Sequence, residues 1–89
     1  MANTKSAERA VRVSERRRRR NLAYKTRIKR LKKAYMAALA TGDRKAAEEA
    51  FRSYVSAVDK AVQAGVIPLG RAARAKSRLS ARLNAIAGA

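Results

Sequence analysis

The chain has 89 residues, the size of one small domain, and carries 23 Lys and Arg against six Asp and Glu for a net charge of +17. It contains no Cys and no His, which removes disulfides, thiolate nucleophiles, imidazole bases and nearly every transition-metal site. Ala supplies 21 of its apolar residues and Leu, Ile, Val and Phe together only 16, a composition poised between a thin helical bundle and a chain that orders fully on a partner.

Charge divides the sequence into three blocks. Residues 1–33 hold 14 basic and two acidic side chains, residues 34–70 hold four of each, and residues 71–89 hold five basic and no acidic ones. With so few carboxylates in the chain, the first and last blocks need an external polyanion.

The first predicted helix runs from about residue 4 to about residue 40. Tyr24, Ile28, Leu31, Tyr35 and Ala38 give it an apolar stripe at alternating spacings of four and three. Upstream of Leu22 the stripe stops, and Val11 and Val13, two residues apart, point to different faces. This helix would be roughly 55 Å long, against roughly 32 Å for the next one, so more than about 20 Å must project beyond its neighbours. The unbroken run Arg16-Arg17-Arg18-Arg19-Arg20 lies in that overhang. Without burial and with like charges three and four residues apart, the overhang is expected to fray when free and to be helical among phosphates.

Thr41-Gly42-Asp43 breaks the helix, with Gly42 suited to a left-handed cap and Asp43 to accept from the first free N–H groups that follow. The second predicted helix, about residues 44–64, has Ala47, Phe51, Tyr54, Val58 and Ala61 on one face. Glu48 and Glu49 are expected to favour its N-terminus. Gly65 closes it, with Val66 placed for the hydrophobic contact of the cap. Pro68 and Gly70 mark a short loop before a third helix of about residues 69–86, striped by Ala72, Ala75, Leu79, Leu83 and Ile86. No alternating β-branched run occurs, and loops this short make neighbouring helices antiparallel. The expected fold is all-α: one domain over residues 1–89, with a basic extension over 1–23 and a three-helix bundle over 24–89.

Catalysis finds no support. Six serines have no His to activate them, and adjacent Glu48 and Glu49 diverge by about 100° on a helix. Gly65-Val-Ile-Pro-Leu-Gly70-Arg71-Ala72 has the glycine spacing of a phosphate loop but lacks its Lys and Ser/Thr and any preceding strand. No enzyme activity, cofactor, metal or small-molecule substrate is expected. The opening Met-Ala-Asn-Thr-Lys has no apolar core of a signal peptide and no stretch matches a membrane span, which points to an intracellular protein.

Polyanion binding is the chemistry the residues favour. Arg outnumbers Lys 15 to eight, and its planar fork matches phosphate oxygens. On the first helix Lys25, Lys29, Lys32 and Lys33 lie to one side and the back, with Arg27 and Arg30 on the other flank. Arg71, Arg74, Arg78 and Arg82 fall within a band of roughly 80° on the third. A membrane helix needs an apolar face opposite its charge, which residues 5–20 lack. Neither a groove-reading helix nor dimer symmetry is visible, and no exposed apolar wedge stands out, which leaves a nucleoid-type DNA-binding protein as the alternative reading. Folded RNA, with phosphates on several sides, suits charge around a whole helix best.

The chain also resembles the bacterial small-subunit ribosomal protein S-twenty family over essentially its whole length. The resemblance rests on Ala2-Asn3-Thr4-Lys5-Ser6-Ala7, the basic segment ending at Asn21, Thr41-Gly42-Asp43 with Ala46-Ala47 and Ala50-Phe51, Lys60 through Gly65-Val66-Ile67, Ala72 through Leu79, and Asn84. It departs at Glu8, at Pro68 with Gly70, and at Ala75. The resemblance implies a three-helix bundle bound directly to small-subunit (16S) ribosomal RNA as an early assembly protein, cytoplasmic and in the ribosome. Other small-subunit proteins are secondary partners on this reading, and no homo-oligomer is expected. Position by position it implies RNA contact by Lys5, Ser6, Arg12, Arg16, Arg17, Asn21, Lys25, Lys33, Arg74, Lys76, Ser77 and Arg78. The charge map adds Arg9, Arg18, Arg19, Arg20, Arg27, Lys29, Arg30, Lys32, Arg71 and Arg82 as candidates.

Overall fold

The computed structural model describes residues 4–87; Ala2 and Asn3 of the resembling opening, and both ends of the expected 1–89 domain, lie outside the described residues. Three helices follow in order, α1 (Thr4–Thr41), α2 (Arg44–Gln63) and α3 (Leu69–Ala87), with no strand among the described residues.

Local chemistry ends each helix where the sequence punctuates it. Gly42 takes φ +74°, a conformation glycine adopts without steric cost, and its N–H bonds the Leu39 carbonyl at 3.1 Å. The Thr41 hydroxyl donates to the Ala38 carbonyl at 2.7 Å and accepts from the Asp43 N–H at 3.5 Å, bridging groups a second cap bond would otherwise join. Asp43 caps α2 by accepting from the N–H groups of Lys45 and Ala46 at 3.1 and 3.3 Å. Gly65, at φ +75°, ends α2 in a paired cap: its N–H reaches the Val62 carbonyl and that of Val66 reaches Ala61. The Pro68 carbonyl accepts from Ala72, so α3 starts at Leu69. One expectation changes. Glu48 and Glu49 stand beyond the first turn of α2, and Glu48 pairs with Arg44 at 2.9 Å across one helical turn.

The central element is α2, which packs along both other helices while α1 and α3 approach each other little. Tyr35, Ala47, Tyr54, Val58, Ala72 and Leu79 form the buried cluster, flanked by Ile28, Leu31, Met36, Phe51, Val62 and Leu83 among others. The Tyr35 and Phe51 rings lie 5.2 Å apart, and those of Phe51 and Tyr54 6.4 Å apart, both tilted. Tyr24, expected on the core face, is half-buried and outside this cluster. Small alanines at 47, 57, 61 and 72 bring the helix backbones close, which explains how a chain poor in large aliphatics still builds a core.

Tyr35 ties the first helix to the third. It is 0% exposed, and its hydroxyl donates to the Leu79 carbonyl at 2.6 Å. Burial holds its pKa above the ordinary 10.0, with the charge of Arg82 opposing.

The Arg20 guanidinium donates to the Ala64 carbonyl at 3.3 Å, at the end of α2, and so fixes where the bundle stops along α1. Residues 4–19 continue past that point for roughly 24 Å. They are helical throughout, and every residue except the half-buried Val13 is exposed. The molecule is accordingly a rod of 69 × 22 × 13 Å.

Candidate nucleic-acid interface

A helix with no neighbour displays every side chain. Along the projecting part of α1, Lys5, Ser6, Arg9, Arg12, Arg16, Arg17, Arg18 and Arg19 are all exposed. Five adjacent residues at 100° steps sweep more than a full turn, so the arginine run presents guanidinium groups to all sides. Arg20 is exposed as well, yet its contact with Ala64 makes it also a cap of the last α2 turn.

Inside the bundle one side of α1 is taken by the core, and the basic residues occupy what remains. Lys25, Arg27, Lys29, Arg30, Lys32 and Lys33 are exposed, as are Arg71, Arg74, Ser77, Arg78 and Arg82 on α3. Both α1 and α3 run antiparallel to α2, hence parallel to each other. Two contacts set their register: Tyr35 meets Leu79, 44 positions on, and Met36 meets Arg82, 46 positions on. The lysines at 25, 29 and 32 share the flank of α1 that carries Met36. Lys32 of α1 and Arg78 and Arg82 of α3 line one valley, so basic residues far apart in sequence meet there, a shape that follows a phosphate backbone.

Two predicted residues sit differently from the rest. Lys76 lies off the arginine band and its ammonium pairs with Asp59 of α2 at 2.8 Å, so it ties α3 to α2. Asn21 is half-buried, and its Oδ1 is buried with no hydrogen-bond partner. Neither was legible from spacing, because each depends on how neighbouring helices are rotated. Apolar side chains also reach solvent where no wedge stood out in the sequence: Val11 is 56%, Leu22 63% and Leu69 69% exposed. Leu22 is flanked by Arg19, Thr26 and Arg30, an apolar spot framed by cations.

Among the described residues no three Asp or Glu gather as a metal site requires, and no helix is long and apolar enough to cross a membrane.

The model of the family described as ribosomal protein S20 matches residues 2–84. A small ribosomal subunit protein bS20 from Fervidobacterium nodosum is 49% identical, covering 100% of this chain and 95% of the relative. Proteins of the same name are 46% identical in Desulforamulus reducens, over 99% of this chain and 100% of the relative, and 44% in Akkermansia muciniphila, over 98% and 100%.

Proposed function

The chain belongs to the ribosomal protein S20 family, a structural and non-enzymatic family of the small ribosomal subunit, and we propose that it binds small-subunit (16S) ribosomal RNA directly and stabilises the RNA fold during assembly. Its place on this reading is the ribosome, in the cytoplasm.

The observation that carries the proposal is the projecting half of α1, where exposed cations lie on all sides of the helix. A single flat duplex would engage only one side of it. RNA helices packed around it would engage all sides, and the bundle would dock through the valley between α1 and α3. Lys5, Arg9, Arg12 and the run from Arg16 to Arg19 hold phosphates in this account, and Lys25, Lys32, Arg71, Arg74 and Arg78 hold the backbone that follows the valley. Bringing such contacts together neutralises phosphates that otherwise repel one another, which is how a protein favours a compact RNA.

A chemical footprint of the RNA with and without the full chain tests this. Protection on at least two RNA segments distant in secondary structure is expected. No protection, or displacement of the RNA by duplex DNA at equal phosphate concentration, would overturn it.

A further inference from the structure

Where α1 and α3 diverge they leave a cleft of about 300 Å³ with α2 beneath it. Its mouth carries three exposed cations, Lys32 from the first helix and Arg78 and Arg82 from the third. Met36 and Ala75, half-buried, form its walls, and Tyr54, only 3% exposed, forms its floor. No acidic residue lines it among the described residues.

Cationic at the mouth and apolar within, the cleft has two parts that ask for different chemistry. Phosphate alone would use the mouth and leave the floor dry. Its volume stands at the lower end of the roughly 300–1,000 Å³ typical of small-ligand sites, which admits one base and excludes a duplex. Arg82 adds a surface for that base. Its Nη1 lies 3.4 Å from Met36 Sδ, so the guanidinium is drawn from α3 towards α1. Unpaired bases stack on such planar guanidinium groups and on apolar side chains.

We infer that this cleft is a binding site for a single unpaired nucleotide of the RNA, its base against Met36, Ala75 and the Arg82 plane and its phosphate at Lys32 and Arg78. The inference rests on the RNA-binding reading above and adds that one nucleotide is turned out of its helix to be held here. The valley supplies the backbone track, and the cleft is where that track has depth.

The discriminating variant is Ala75→Leu, which fills the cleft and leaves every charge in place. Its affinity for the small-subunit ribosomal RNA should fall by roughly 5- to 150-fold, the range that removing one stacked base implies. The slope of log affinity against log salt should stay that of the unaltered chain, because every phosphate keeps its cation. An unaltered chain that binds with an Ala75→Leu chain that binds equally well overturns the cleft alone; an unaltered chain that fails to bind RNA overturns the function reading with it. A second measurement avoids any folding defect of the variant. Adenosine monophosphate titrated into the unaltered chain should shift the Met36 methyl resonance, while inorganic phosphate at the same concentration should not. No shift with the nucleotide, or equal shifts with both, would sink the proposal.

Discussion

The two halves of α1 are built from one residue vocabulary and held by different forces. Residues 20–41 lie against α2, and their helix is stabilised by Tyr35, Ile28 and Leu31 in the core. Residues 4–19 continue the same helix with every residue but Val13 exposed. In the first case burial supplies what helix propensity cannot; in the second only propensity remains, opposed by like charges. The expectation that this overhang frays when free therefore concerns its stability, since its shape in the structure is an unbroken helix. A protein whose ligand must surround an element cannot bury that element in itself.

Mutations confined to the overhang or to the bundle should separate the two roles most clearly. Changing Arg16 through Arg19 together to Gln should leave the thermal midpoint of the bundle almost unmoved. The same change should reduce the slope of log RNA affinity against log salt by roughly three, at about 0.7–0.9 for each phosphate left without its cation. An unchanged slope would mean that the overhang holds no phosphates. The reverse case is Leu79→Ala, which should cost about 2–5 kcal/mol in denaturant unfolding because the side chain is 6% exposed and central to the cluster.

Hydrogen exchange should distinguish the two halves of α1 without mutation. Amides of residues 4–19 should exchange near the rates of an open helix, and those around Tyr35 and Val58 only with global unfolding. Equal protection along all of α1 would contradict the division.

Tyr35, like the buried Tyr54, makes the bundle sensitive to alkali. Its pKa is raised in the fold, so above the ordinary 10.0 the unfolded chain releases a proton that the folded chain keeps. Stability is therefore full below about pH 10 and declines as pH rises through the folded value. Tyr35→Phe should flatten that decline while costing on the order of 1 kcal/mol, through the Leu79 carbonyl it leaves with one partner fewer. The smallest effect expected is at Asp43, where replacement by Ala removes two cap hydrogen bonds and should cost about 1 kcal/mol or less.

Much of this molecule was determined by its sequence alone. The all-helical class, the turns at Gly42-Asp43 and Gly65 and the length mismatch that creates the overhang all follow from local rules. Periodicity, capping chemistry and rise per residue act within a few positions, so a linear reading reaches them. Charge segregation is likewise a property of the chain order. The contacts that shape the interface are not. That Lys76 faces Asp59, that Arg20 caps α2, that Tyr24 stands outside the core cluster and that Lys32 shares a cleft with Arg78 and Arg82 depend on how three helices are rotated and slid against each other. Rotation and register are settled by the summed packing of small alanines and a few aromatics at once, and no single spacing encodes them.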